Sequence, residues 1–181
     1  IPPPPISTLL PYTTLFRSPE PPLPGEWPYV RGGDALRDVK SGWRVAEAFP
    51  ATPVPGVAAT DVNSAVLDAL GNGASALVLR IGESGVAPDQ LAETLQGVYL
   101  SMAPLILEAG ADYCAASDVV LGLADSVEPD QRATVSIDLG GDPLTAALSE
   151  RPAPKIEDVV AVAKRAGDHT GVRAITVDGP A

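Results

Sequence analysis

Aromatic residues make up only 4% of the 181 residues, and there is one cysteine, one histidine and one methionine. A lone Cys114 excludes an intramolecular disulfide and a cysteine-rich metal site. One free thiol fits a reducing cytoplasm, the compartment expected for this chain. Cations are scarce as well: 12 Lys and Arg stand against 23 Asp and Glu, a net charge of −11. Such a surface repels phosphate backbones, and no Lys/Arg cluster offsets it, so no nucleic-acid partner is expected. No apolar run approaches the ~20 residues of a membrane span, which leaves no membrane partner either. The first residues, IPPPP, lack the basic-then-apolar order of a signal peptide.

Hydrophobic residues are nonetheless 45% of the chain. With so few aromatics, the core must be built from Val, Leu, Ile and Ala. Proline is uneven: 10 of the 20 prolines fall in residues 1–30. That leader cannot be helix or central strand. Residues 1–18, IPPPPISTLLPYTTLFRS, resemble translated adaptor sequence and are set aside as foreign; the alternative is a native Pro-rich linker. Residues 19–55 are expected to form an extended N-terminal arm.

From residue 56 helix and strand patterns alternate. Asp61–Leu70 reads as a helix capped by Thr60 or Asp61, with Val62, Val66 and Ala69 on one face and Gly71 as its stop. ALVLRI (76–81) is a nearly continuous apolar run, as a buried parallel strand would be. Pro88 opens a helix striped by Leu91, Leu95 and Val98. APLILEAG (103–110) is the next strand, followed by a helix over 111–125 with Tyr113, Ala116, Val120 and Leu123 inward. TVSIDL (134–139) is the third strand, ended by Gly140-Gly141. The helix over 155–166 turns Ile156, Val159, Val160 and Ala163 inward, with acids in its first turn and bases in its last. VRAITVD (172–178) is the fourth strand.

This alternation implies βα units and a parallel sheet. No GxGxxG or Walker A pattern appears, so the common nucleotide-binding folds lack their markers. A (β/α)₈ barrel needs ~250 residues. The expected fold is therefore α/β, a partial (β/α)₈ TIM barrel over 56–181, about its first half, preceded by the extended Pro-rich arm. A strand that runs straight to the chain end, with no helix to cover it, points to a barrel cut short.

In such a barrel the functional groups gather at the C-terminal strand ends. Arg80, Glu83, Glu108, Asp138 and Asp178 fall there. Acids converging on one rim suit a divalent metal or acid–base work, but N-caps and solvated loops use the same residues. Ser84 in GESG does not fit the GxSxG elbow. Cys114 lies within an apolar helix, where core packing is the better reading. His169 follows a helix, on the far face from that rim. Gly140-Gly141 suits an anion or a tight turn, and Asp142 beside it weakens the first.

PGEWPYVRGG (24–33) resembles the PGExPFxRG segment that opens the substrate barrel of methylmalonyl-CoA mutases. VRGGDALRDVKSGWRVAEAF, LDALGNGASALVLRIGESG, SIDLGGDPLTAAL and VRAITVDGPA are similar to the small subunit of the bacterial heterodimeric enzyme, so the resemblance spans 19–181. It implies an isomerase complex that uses adenosylcobalamin to interconvert methylmalonyl-CoA and succinyl-CoA, with a large catalytic subunit as partner.

Catalytic chains carry W-T-I-R-Q-Y-A-G, whose tyrosine lies over the radical site. With Trp43 laid on that tryptophan, Ala48 stands at the tyrosine and Ala46 at the arginine. Where they show T-I-Q-N-D, this chain has Ser136-Ile137-Asp138-Leu139-Gly140-Gly141. No DxHxxG cobalamin motif occurs. The resemblance thus implies a non-catalytic copy, with no catalytic, cofactor-binding or metal-binding residue of its own. Trp27, Tyr29, Arg31 and Trp43 are the residues expected at the subunit interface, since aromatics and Arg anchor interfaces.

Overall fold

The computed structural model describes Trp27, residues 43–149 and residues 152–177. The chain divides into two units at Trp43/Arg44. Every element below belongs to the second.

Five strands, β1 (Ala46–Phe49), β2 (Ala76–Arg80), β3 (Leu105–Glu108), β4 (Ile137–Gly141) and β5 (Val172–Ile175), form one sheet in the order β1-β2-β3-β4-β5. Each strand pairs with its successor, and every pairing is parallel. The helices between them are α1 (Ala59–Gly71), the single turn α2 (Leu91–Thr94), α3 (Tyr113–Asp125) and α4 (Ile156–Arg165). The class is α/β, as the alternation implies. A doubly wound fold would reverse the strand order and cover both faces; here the order runs straight through.

Large apolar side chains fall on alternate residues. Leu77 and Leu79, Leu105 and Leu107, Ile137 and Leu139 are all fully buried, and the register places the three pairs side by side on one face. They share a core with Val62 and Val66 of α1, Leu91 of α2, Tyr113 and Val120 of α3, and Val159 and Val162 of α4. The opposite face carries Ala48, Val78, Ile106, Glu108, Asp138 and Arg173, each half-buried or exposed. The sheet is therefore dry on its helix side; the other face is small and apolar along most of β1 and β2 and becomes polar at Arg80, Glu108, Asp138 and Arg173.

Several elements depart from the sequence pattern. β1 lies inside the segment expected to be an extended arm; four residues, of which only Phe49 is buried, carry too weak a pattern to read. α1 starts at Ala59, and its N-cap Ala58 makes no side-chain cap bond. The helix at Pro88 is a 3₁₀ turn, Pro88–Gln90, followed by one α turn, although Leu91 and Leu95 are buried as expected. On α4, Val159, Val162 and then Ala166 face the core, whereas Ile156 and Val160 are exposed. β4 starts at Ile137 and ends at the glycine pair as expected, with Gly140 and Gly141 as its last two residues.

Those two glycines are required by their neighbours. Gly140 has φ +70°, and a Cβ there would run into the Leu107 carbonyl. It sits where the β4–β5 register shifts, between Asp138 and Gly141. At Gly141 a Cβ would meet the Ala174 carbonyl at 2.5 Å and the Tyr113 ring at 2.9 Å. Tyr113 is fully buried, and its hydroxyl donates to the Ala174 carbonyl at 2.9 Å. The ring thus fastens α3 to the outermost described strand through a slot that only glycine leaves open.

Gly141→Ala is expected to lower stability by roughly 2 kcal/mol or more, read from a thermal melt, because both the Ala174 main chain on β5 and the Tyr113 ring must give way. Burial pushes the Tyr113 hydroxyl from 10.0 up to about 12. A raised folded pKa means that the unfolded chain loses its proton first. Tyr113 therefore contributes its full stabilisation below pH 10 and loses it as pH rises toward 12, a loss of up to roughly 2–3 kcal/mol. Tyr113→Phe should cost about 1 kcal/mol at pH 7 and flatten that alkaline decline relative to the parent chain, in melts taken across this range.

Candidate functional site

The C-terminal ends of β2, β3 and β4 open onto a cavity of about 680 Å³. Its wall includes Arg80, Glu83, Glu108, Gly140, Asp142 and Thr176. Three of the five rim residues marked in the sequence, Arg80, Glu83 and Glu108, are thus brought to one place. Asp138 stands beside it on β4, and Asp178 lies outside the described residues.

Arg80 and Glu108 are direct register partners on β2 and β3. Arg80 Nε donates to Glu108 Oε2 at 3.1 Å. Its Nη1 donates to the Pro50 carbonyl at 2.6 Å and the Ala51 carbonyl at 2.9 Å. One guanidinium therefore serves a carboxylate and two main-chain oxygens of the loop after β1. A charge already engaged on three acceptors is poorly placed to clamp an incoming phosphate or thioester.

The carboxylates serve the fold in the same way. Asp138 Oδ1 accepts the Gly140 N–H at 3.0 Å and the Thr176 hydroxyl, while Oδ2 lies 3.7 Å from Arg173 Nε. Asp142, 6% exposed, accepts the N–H groups of Leu144 at 3.2 Å and Thr145 at 2.7 Å, and also the Thr145 hydroxyl. Glu83 is exposed on a 3₁₀ turn, Gly82–Ser84. Among the described residues no three His, Cys, Asp or Glu side chains come together as a metal site would need.

Asp112, Asp142 and Thr176 are polar wall residues outside the strand-end set expected from the sequence. Asp112 opens the helix side of the wall, one residue before α3. The signal for Asp142 was present: Asp142-Pro143-Leu144-Thr145 has the Asp-then-Thr spacing of a self-bonded turn. Thr176 had none, because its partner Asp138 is 38 residues away.

The other candidates do not join the cavity chemistry. Ser84 lines it, but its hydroxyl donates to Ile81 O at 3.4 Å on its own turn. Cys114 packs partly buried against the core; burial, and then the Asp158 and Asp118 carboxylates, push its thiol up, away from reactive thiolate. His169 sits at the start of β5, the other end of the sheet, with Nε2 3.5 Å from Asp125 Oδ1. Trp27 and Trp43 are 81% and 92% exposed, while Tyr29 and Arg31 lie outside the described residues. Ala46 and Ala48 belong to β1, in register with Ala76 and Val78 of β2. They therefore share the face of the sheet away from the helices with Arg80.

No family model matches the chain. It is 65% identical over 170 residues to proteins named probable methylmalonyl-CoA mutase small subunit in Mycobacterium tuberculosis and Mycobacterium bovis, covering 94% of this chain and 27% of each relative. It is 33% identical over 173 residues to the methylmalonyl-CoA mutase small subunit of Streptomyces virginiae, covering 92% of this chain and 26% of the relative. The chain spans about a quarter of the length of the curated relatives it matches. By this identity, carried through nearly all of its own residues, the chain belongs to the methylmalonyl-CoA mutase small-subunit family.

Proposed function

We propose that the chain is part of the barrel of an adenosylcobalamin-dependent methylmalonyl-CoA mutase, in its small subunit, and that it acts as a non-catalytic structural partner of the large subunit. The observation that carries the non-catalytic reading is the pair Ala46 and Ala48. Both occupy the face of the sheet away from the helices, where the resemblance sets an arginine and a tyrosine in catalytic chains. A methyl group at each position reaches no farther than its own strand and offers neither a hydrogen bond nor a ring. Arg80, the cation that could bind an anion there, already donates from Nε and Nη1 to Glu108, Pro50 and Ala51.

The sequential parallel sheet, with its helices packed on one face, supports the half-barrel reading. In that reading the face away from the helices looks inward and the cavity is the barrel mouth. Adenosylcobalamin belongs to the assembled enzyme. The described residues do not fit it: the chain's single histidine, His169, lies at the opposite end of the sheet from the cavity and pairs with Asp125. The partner is the large catalytic subunit, the compartment the cytoplasm. Trp27, Tyr29, Arg31 and Trp43 are the proposed anchors. The 81% and 92% exposure of the two tryptophans supports that role, since so large an apolar surface is stabilised by cover from a partner.

Co-expression with the large subunit is expected to bring the chain down in an affinity capture of that subunit, and to raise its soluble yield. Trp27→Ala with Trp43→Ala should weaken capture by about tenfold or more. Alone, the chain should interconvert no methylmalonyl-CoA and give no calorimetric heat with coenzyme A. Coenzyme A heat without capture would favour a barrel that still binds acyl-CoA. A melting temperature raised by Mg²⁺ or Mn²⁺, and no longer raised in Asp138→Ala, would favour an acidic-rim metal enzyme instead.

A further inference from the structure

The segment between β1 and α1 reads Pro50-Ala51-Thr52-Pro53-Val54-Pro55-Gly56. Three prolines remove three N–H donors, so this stretch cannot extend the sheet. Residues 51–56 are all exposed, and no side chain among them is buried in the core. Its ends behave differently. Phe49, just before it, is 7% exposed, and Val57, just after it, packs against the core. Gly56, with φ +68°, turns the chain at the downstream end. The segment is thus anchored at both ends and unburied between them.

Between those ends the described hydrogen bonds to the segment come from two places. Arg80 Nη1 holds Pro50 O and Ala51 O at 2.6 and 2.9 Å, and Val54 N–H donates to Ser84 O at a longer 3.3 Å. Pro53 stands in the cavity wall beside Arg80 and Ser84. Glu108 fixes the aim of the guanidinium by taking its Nε–H at 3.1 Å.

We propose that residues 50–56 are a strap across one side of the cavity, latched by Arg80 and aimed by Glu108, and that releasing the latch opens the cavity. The conformational freedom of seven residues is restrained by one cation and one long main-chain bond, Val54 to Ser84, rather than by burial. With the latch set, Pro53 walls the cavity; with it free, the strap swings about Phe49 and Gly56, and the apolar lining of Ile81, Ile106 and Leu107 becomes accessible.

Hydrogen exchange of the full 181-residue chain, read amide by amide, tests it. Arg80→Gln should speed exchange at Val54 by about tenfold or more, the loss expected when charge-assisted bonds go, while Leu79 and Leu107 in the sheet interior keep their protection. Arg80→Lys should fall between, because one ammonium cannot hold Glu108 and two carbonyls in a fork. Unchanged exchange at Val54 in Arg80→Gln overturns the proposal. So does a rise shared equally by the sheet amides, which would make Arg80 a general stabiliser. If Arg80→Gln does not fold, Glu108→Gln, which retains an acceptor oxygen for Nε, decides: a smaller rise confined to residues 51–56 supports the latch, and none overturns it.

Discussion

A parallel sheet buries one face against helices only when its strands place their large apolar side chains on alternate residues, in register with one another. Leu77 and Leu79, Leu105 and Leu107, Ile137 and Leu139 meet that condition on three adjacent strands. A slip of one residue on β3 would exchange Leu105 and Leu107 for Ile106 and Glu108, putting a carboxylate into the dry layer. The register is therefore costly to change, and it decides which side chains meet on the face away from the helices.

That fixed register makes the ion pairs. Arg80 and Glu108 are side by side because Leu79 and Leu107 are, and Asp138 faces Arg173 because Ile137 pairs with Val172. Each pair joins neighbouring strands on the face away from the helices. Arg80 then continues past its partner to the carbonyls of Pro50 and Ala51, tying the loop after β1 to the sheet. At β4 the local demand is steric: Gly140 yields to Leu107, Gly141 to Tyr113, and Asp138 bonds across the irregular turn of backbone they create. Arg80, Glu108 and Asp142 at the mouth of the cavity are thus already engaged within the fold, which is the physical content behind reading this chain as scaffold.

Much of the fold was legible because the period-2 and period-3.6 patterns were strong where burial was complete. β2 and β3 fall inside ALVLRI and APLILEAG, and Val62, Val66 and Ala69 of α1 and Tyr113, Ala116 and Val120 of α3 are buried as expected, with Leu123 only half-buried. The pattern failed where burial was weak or local chemistry misled. β1 has one buried residue of four, so it looked like arm. The paired glycines do end β4, but nothing in GG announces the tyrosine ring across the sheet that requires them. On α4 the apolar residues outnumber the positions facing the core, and the sequence could not say that Ala166 would be chosen over Ile156. The rim residues were nameable as strand-end groups, yet their partners were not. Arg80 and Glu108 are 28 residues apart, and the Pro50 carbonyl is 30 from Arg80.

Taken alone, the sequence determined the class, the parallel pairing and the kinship, because composition, periodicity and motif are local properties that survive without a folded chain. It also marked Ala46 and Ala48 as the places where a catalytic relative would differ. Tertiary structure decided what the polar groups do. Whether Arg80 is a ligand-binding cation or a latch depends on which acceptors come within about 3 Å of its guanidinium, the reach of a hydrogen bond. Those acceptors are brought there only when β1, β2 and β3 pair in register, a long-range condition that no window of residues contains.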